Sequence, residues 1–169
     1  MTMSYCSSGT NSSKAARANP VSELAHRVQI TQLESAMLSE RECFDPDYFT
    51  KHHFCNGAYV REFLLPKGFT VTGKIHRYAC INILLSGKIQ IVQGDGLDTI
   101  MEAPMIYKSR AGEKKALHAL EDAVFLNVHA LPQDMLDADE LDLEEMEAHF
   151  IVSSFEQLDI ERREALEGS

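Results

Sequence analysis

The stretch from residue 57 to residue 131 is divided into short strand-like segments by turn-forming residues, and this division constrains the fold more than any other feature. The first segment, 58–65, ends at the Pro66-Lys67-Gly68 turn. Further segments follow at 69–75, 80–85, 88–93, 98–102, 105–108, 114–120 and 123–129. The turns between them are Gly73, Ser86-Gly87, Gly94-Asp95-Gly96, Ala103-Pro104 and Ala111-Gly112. Short strands at this spacing predict an antiparallel sandwich or barrel, and the lack of intervening helices disfavours a parallel sheet.

The sequence on either side of this stretch differs in character. Residues 1–21 begin with a Ser-, Thr- and Asn-rich run and are predicted to form a flexible tail. Residues 22–56 are predicted to form a helical or irregular arm with a helix over 22–38. The run Thr31-Gln32-Leu33-Glu34 has the form of a capping box, so the helix could instead start at Thr31. An Asp45-Pro46-Asp47 turn follows this helix within the arm. Residues 132–169 are predicted to form an acidic helical segment.

Charge and cysteine usage exclude several classes of protein. A net charge of −10 argues against nucleic-acid binding by phosphate neutralisation. No run of eighteen apolar residues is present, so no membrane span is predicted. The cysteines, Cys6, Cys43, Cys55 and Cys80, form no C-x-x-C pair, and the N-terminus has no apolar signal region, so we expect a cytoplasmic protein. The acidic residues after Gln133 are interpreted as a solvated helix face or as a docking surface for a basic partner.

Two segments resemble the motifs of a known superfamily. Residues 68–87 read GFTVTGKIHRYACINILLSG, which resembles the first cupin motif, and residues 103–120, APMIYKSRAGEKKALHAL, resemble the second. The runs YVREFLLPKGFTVTGKIH and LEDAVFLNVH are also similar to small cupin-like proteins of bacteriophage genomes. The resemblance implies a mainly β protein with a single antiparallel, cupin-like (RmlC-like) jelly-roll barrel over 57–131 and short helical segments at both ends. It also implies a homodimer or higher homo-oligomer, located in the host cytoplasm if the protein is phage-encoded.

The chain departs from the cupin pattern at the positions that usually hold a metal. The two-histidine step becomes Lys74-Ile75-His76, Cys80 occupies the slot of the acid, and Lys115 occupies the slot of the later histidine. A protonated ammonium group repels a divalent cation. The sequence therefore does not predict a standard cupin metal centre.

A non-standard metal site around His76 is one alternative. His76 is expected to point into the barrel, and a metal usually needs at least three protein ligands. The additional ligands predicted for this site are His129, His118 and Glu62, and His53 and Cys80 are further donors in the sequence. His129 ends the last strand, whereas His118 alternates with Lys115 and points outward unless a bulge shifts the register.

A metal-free ligand site is the favoured alternative. The expected lining residues are His76, Lys74, Asn82, Lys115 and Arg61, whose cationic groups would meet a phosphate or carboxylate. Arg61 and Glu62 are consecutive on a strand, so one faces inward and the other outward, and the sequence leaves open which is inside.

Three functions follow from these alternatives. The first is a protein without catalytic activity that binds a small polar or anionic ligand in the barrel. The second is a metal-dependent enzyme of the isomerase or oxygenase type. The third is a phage structural or host-interaction protein. The identity of any cofactor, and whether the chain is an enzyme, are left open, with a divalent metal as the less favoured choice.

Overall fold

The chain folds mainly into antiparallel strands, with an α-helical segment before the strands and further α-helical segments near the C-terminal end. The computed structural model describes residues 20–39, 46–55, 57–92, 98–132, 135 and 142–168. The elements are α1 (Pro20–Ser39), a 3-10 helix (Pro46–Phe49), β1 (Thr50–Cys55), β2 (Ala58–Leu65), β3 (Thr70–Thr72), β4 (Ile75–His76), β5 (Cys80–Ser86), β6 (Lys88–Val92), β7 (Asp98–Glu102), β8 (Met105–Ser109), β9 (Ala116–Ala119), β10 (Ala123–Ala130), α2 (Leu143–Phe150), β11 (Ile151–Val152) and α3 (Phe155–Glu167). Residues 1–19 of the predicted tail, Asp45 of the predicted turn and the Gly94-Asp95-Gly96 turn lie outside the described residues, whereas Pro20 and Val21, also predicted as tail, belong to α1.

Eight of the strands follow the strand order of a jelly roll. The large sheet has the order β1-β2-β10-β5-β8, the small sheet has the order β3-β9-β6-β7, and β4 pairs with β11. When β2, β3 and β5 to β10 are numbered consecutively, the two sheets become 1-8-3-6 and 2-7-4-5. This is the double Greek key arrangement of a jelly roll. The predicted mainly β, antiparallel jelly roll is therefore confirmed.

The predicted closure into a barrel is not observed. Among the described residues the strands form two facing sheets, and neither sheet closes on itself. The large sheet ends at β1 and β8, and the small sheet ends at β3 and β7, so each keeps two edge strands. The large sheet also extends beyond the predicted barrel, because β1 lies in the predicted arm and pairs with β2.

The core lies between the two sheets and explains why these segments form strands. In β6 the buried residues Ile89 and Ile91 alternate with less buried ones, as a strand with one face on a core requires. They pack with Leu84 and Phe125 of the large sheet. Gly87, the terminal glycine of the first motif, has a φ of +82°, and a Cβ there would collide with the backbone of Asp122. The glycine is therefore required by both conformation and space.

The helices lie against the ends of the jelly roll. α1 is continuous through Thr31, whose hydroxyl donates to the carbonyl of Arg27 at 2.8 Å instead of capping a new helix. Asp142 caps α2 by accepting from backbone amides of its first turn, and Ser154 caps α3 in the same way. None of the described helices is long and apolar enough to cross a membrane.

Candidate functional site

The inner face of the large sheet changes from apolar to polar along its strands. At the core end Phe125 of β10 lies opposite Leu84 of β5, and both are buried. Two residues further along β10, Asn127 lies opposite Asn82 on one side and Arg61 on the other. Because side chains alternate along a strand, all of these residues face the interior. The polar part of the interior therefore begins one pleat away from the core.

Asn82 is the centre of a buried hydrogen-bond network. Its side chain is 0% exposed, and its Nδ2 donates to Ser109 Oγ at 2.6 Å. Its Oδ1 accepts from Lys115 Nζ at 2.9 Å and from Asn127 Nδ2 at 2.7 Å. Lys115 Nζ also donates to Ser109 Oγ. Buried polar groups are expensive unless they are paired, so this network holds the amide and the ammonium in fixed positions.

Lys115 is a buried cation with mainly neutral neighbours. It is 5% exposed, and its Nζ lies 5.2 Å from the ring centre of Tyr107 and 5.9 Å from that of Phe125. Burial lowers the pKa of Lys115, and the nearby Cys80 and Glu113 only partly offset this effect. The described residues provide no carboxylate within ion-pair distance of Lys115.

Two histidines and a cysteine meet beside this network. His76 comes from β4, Cys80 from β5 and His129 from β10, and all three are buried. Their nearest nitrogen and sulfur atoms all lie within 4.8 Å of one another. The Nδ1 of His76 is 3.5 Å from the Sγ of Cys80, and the two imidazole ring centres are 5.1 Å apart. This is the one group of metal-ligating side chains found among the described residues.

Burial keeps all three groups in their neutral forms. Desolvation, assisted by the charges of neighbouring cationic groups, lowers the pKa of His76 to about 3 and that of His129 to about 4. Desolvation also raises the pKa of the Cys80 thiol, although Lys115 partly offsets the rise. Both imidazoles therefore have a lone pair available near neutral pH.

A carboxylate and two cations lie at the polar end. Glu147 of α2 accepts a hydrogen bond from Lys74 Nζ at 2.6 Å, and its other oxygen is 3.9 Å from Arg61 Nη1. Burial alone would raise the pKa of Glu147, but Lys74 and Arg61 outweigh it and lower that pKa. The Nε of Arg61 is buried and finds no hydrogen-bond partner among the described residues. Arg61 is thus the inward-facing member of the Arg61–Glu62 pair.

The C-terminal segment covers this end of the interior. The ring of Phe150 lies 4.6 Å from the ring of His129. β11 pairs with β4, which places Ile151 opposite His76. Arg77 fixes the end of α2 by donating to the carbonyls of Ala148 and His149, both at 2.7 Å. Side chains from outside the predicted barrel therefore complete the site.

The structure brings only some of the predicted site residues together. His76, Asn82, Lys115, Arg61 and His129 share the interior, while Lys74 lies at its edge with a side chain 45% exposed.

Glu62 and His118 are not brought to the other predicted metal ligands. Glu62 faces outward. One of its carboxylate oxygens lies 2.8 Å from His53 Nε2, and the other lies 3.7 Å from Lys51 Nζ. His118 alternates with buried neighbours on β9 and contacts Thr70 Oγ1 at 2.9 Å. Both positions follow from the observed strand register, without the bulge that His118 would need.

Three contributors were not identified in the sequence. Ser109 and Asn127 are common polar residues at strand positions, and only the register shows that they face Asn82. Glu147 is one acid in an acidic segment, and no local pattern distinguishes it from its neighbours.

Comparisons with known proteins concern the architecture. No model of a protein family matches the chain, and no curated protein matches it. A cupin superfamily protein from Desulfitobacterium hafniense is similar with a TM-score of 0.43 and 12% identity, over 49% of this chain and 76% of that one. KdgF from Halomonas sp. has a TM-score of 0.43 and 12% identity, over 50% and 81%. An RmlC-like cupin protein from Methanocaldococcus jannaschii has a TM-score of 0.42 and 13% identity, over 59% and 92%.

Structural similarities at these identities and TM-scores do not indicate a function, which depends on the residues of this chain. The resemblance to bacteriophage proteins stays a prediction. The similar structures from Desulfitobacterium hafniense and Methanocaldococcus jannaschii are described as cupin proteins, the superfamily that the two motifs of this chain resemble.

Proposed function

We propose that this chain binds a divalent transition-metal ion through His76, Cys80 and His129. The observation that carries the proposal is the convergence of three metal-ligating atoms within 4.8 Å at the buried polar end of the jelly roll. Imidazole and thiolate ligands suit zinc, iron, cobalt or nickel rather than magnesium or calcium. The ligand set differs from the usual cupin set, because two of the usual positions hold Lys74 and Lys115.

The geometry and protonation of the three residues fit such an ion. A tetrahedral centre with metal–nitrogen and metal–sulfur bonds of about 2.05 and 2.3 Å sets these atoms about 3.5 Å apart. The separation between His76 Nδ1 and Cys80 Sγ is 3.5 Å. The ligand atom of His129 lies within 4.8 Å of the other two, so its side chain would have to move closer to them to complete the set. The neutral imidazoles are ready to coordinate, and binding would release the proton of the thiol.

Three protein ligands leave a coordination position for a small molecule. Lys115 and Arg61 bring positive charge to the same interior, and the Nε of Arg61 has an unused donor. A carboxylate or phosphate would satisfy these groups through charge-assisted hydrogen bonds. The proposed occupant of the open position is therefore a small anion. A bound metal would supply Lewis acidity, and the residues specify binding of an anion rather than a particular reaction.

Metal analysis with paired variants tests the proposal. The full chain is produced in a medium supplemented with zinc, iron, cobalt and nickel, and its metal content is measured. We expect about one ion per chain, lost in His76→Ala, Cys80→Ala and His129→Ala. The matched controls are Cys55→Ala, at an exposed free cysteine, and His118→Ala, which should keep the ion.

Cobalt spectroscopy provides a readout that does not depend on whether the protein retains its metal during purification. Co²⁺ added to the metal-free protein should give a near-ultraviolet thiolate band that Cys80→Ala abolishes and Cys55→Ala retains. A wild-type protein with no stoichiometric metal and no cobalt band would contradict the proposal.

The second candidate is metal-free binding of a small anionic ligand, and a separate observation favours it. Lys115 and Arg61 supply two cationic groups to the interior, and Asn82 and Ser109 already hold the ammonium in position. A thermal-shift screen of carboxylates and phosphates, in the presence of a chelator, should then find a stabiliser. The stabilisation should disappear in Lys115→Met and persist in Lys108→Met, an exposed lysine on β8. Stabilisation that depends on added metal would favour the first candidate.

A further inference from the structure

A cavity lies outside the jelly roll, where α1 and α3 meet the loop between β8 and β9. Its volume is about 140 Å³. The lining comes from Glu23, His26 and Arg27 of α1, from residues 110–114 of the loop, and from Phe155 and Arg162 of α3. None of these residues belongs to the interior site, so the two sites can be tested separately.

Cationic side chains outnumber carboxylates in this lining, but some are already paired. Arg27 donates to Glu23 at 2.9 Å and to Asp159 at 2.8 Å. Lys114 donates to both carboxylate oxygens of Glu34 at 2.7 Å. These cations are neutralised within the protein and are not the groups that a ligand would need to satisfy.

Arg110 and Arg162 are the unpaired cations of the cavity. Neither has an ion-pair partner in the part of the chain that the structure describes. Arg162 Nη2 donates to the carbonyl of Ala111 at 2.9 Å, which orients the guanidinium at the loop and leaves its other N–H groups available. A guanidinium is a planar set of donors that suits the oxygens of a carboxylate or phosphate.

His26 adds a buried polar atom without a partner. The residue is 2% exposed, and its Nε2 lies 2.9 Å from the carbonyl oxygen of Lys114. Because a carbonyl oxygen only accepts, Nε2 carries the hydrogen in this contact, and Nδ1 is an acceptor whenever the ring is neutral. Nδ1 is buried and has no hydrogen-bond partner in the described part of the chain. A buried acceptor left unsatisfied is unfavourable, so a hydroxyl donor from a ligand would be favoured there.

We propose that this cavity binds a small oxyanion that also carries a hydroxyl group. Arg110 and Arg162 receive the anionic oxygens, and Nδ1 of His26 accepts from the hydroxyl. A cavity of about 150 Å³ can hold a ligand of six non-hydrogen atoms, which is the size of a three-carbon hydroxy acid. The ligand class is therefore a short hydroxycarboxylate, and the inference does not depend on the metal proposed for the interior.

The test compares two probes that differ only in the hydroxyl group. Lactate and propanoate are titrated against the metal-free full chain, and binding is followed by saturation-transfer NMR. We expect lactate to bind about fivefold more tightly, the effect of one neutral hydrogen bond. Arg110→Gln and Arg162→Gln should each weaken lactate binding by about tenfold or more, as the loss of a charge-assisted hydrogen bond requires.

The controls separate this cavity from the interior. Arg163→Gln changes an exposed arginine next in sequence to Arg162 that does not line this cavity, and it should leave lactate binding unchanged. Lys115→Met should also leave it unchanged. If lactate binding is lost in Lys115→Met and kept in Arg110→Gln, the probe binds in the interior and this proposal is wrong, while the interior proposal stands. Equal affinities for lactate and propanoate would overturn the role of His26, and no lactate binding would overturn the site.

Discussion

Acidification should destabilise the metal-free protein through His76 and His129. The unfolded chain titrates these imidazoles near pH 6.5, whereas burial lowers the folded pKa values to about 3 and about 4. Below pH 6.5 the unfolded state therefore binds more protons than the folded state, and the stability of the fold decreases as the pH falls towards the folded pKa values. At about pH 7.5, one unit above the unfolded pKa, both states are almost fully neutral and the effect is nearly absent.

The size of the effect follows from these values. At about pH 5 each histidine is almost fully protonated in the unfolded chain and almost fully neutral in the folded one. The linkage relation then gives a loss of about 2 kcal/mol per histidine, or about 4 kcal/mol for the pair, relative to about pH 7.5. Urea unfolding at both pH values, with a chelator present, measures the difference.

Variants isolate the contribution of the two buried rings. His76→Asn and His129→Asn remove a titrating group, so each should reduce the pH-dependent loss by about half, whatever its effect on absolute stability. His118→Asn, at the outward-facing position on β9, should keep the loss of the wild type. If His76→Asn and His129→Asn have the same pH dependence as the wild type, the rings are not held neutral by burial and the reasoning fails.

Three further changes test the fold and its surfaces. Leu84→Ala should lower the free energy of unfolding, measured by urea titration, by about 2–5 kcal/mol, because Leu84 is 0% exposed in the core. Its neighbour Leu85 is 57% exposed, so Leu85→Ala should change the same quantity by about 0.5 kcal/mol or less. Gly87→Ala should destabilise by more than about 1 kcal/mol, measured by thermal unfolding, because the residue has φ +82° and a Cβ would meet the backbone of Asp122. The predicted homo-oligomer can be tested at the outer face of the large sheet, where Ile106 is 69% exposed. If the oligomer forms through this face, Ile106→Lys should be a monomer in sedimentation velocity. An unchanged oligomer would exclude that face.

The strand pattern was predictable because it depends on local signals. The segment predicted over 58–65 coincides with β2, and that over 98–102 coincides with β7. The segment predicted over 69–75 instead divides into β3 and the start of β4. The strand β1 was missed because Lys51, His52 and His53 give a polar run without the alternation of a half-buried strand.

The composition of the site was only partly predictable, because it depends on contacts distant in sequence. His76 and Asn82 lie on the first motif, on β4 and β5, and the alternation within each strand is enough to predict that both face inward. The approach of His129 depends on the pairing of β10 with β5, and that of Glu147 depends on how α2 returns to the jelly roll. Neither pairing has a local signature.

The two lysines in the expected ligand positions have opposite environments, and this difference links the proposed metal to the proposed anion. Lys74 is exposed at the edge and is neutralised by Glu147, whereas Lys115 is buried with only neutral hydrogen-bond acceptors. A divalent ion held by one thiolate and two neutral imidazoles has one net positive charge, to which Lys115 adds another. Uncompensated buried charge is strongly unfavourable, and Glu147 approaches Arg61 only to 3.9 Å. If the proposed metal is bound, we therefore expect either an external anion in the interior or a neutral Lys115. Burial lowers the pKa of Lys115 because it destabilises the protonated form, and a bound anion would stabilise that form.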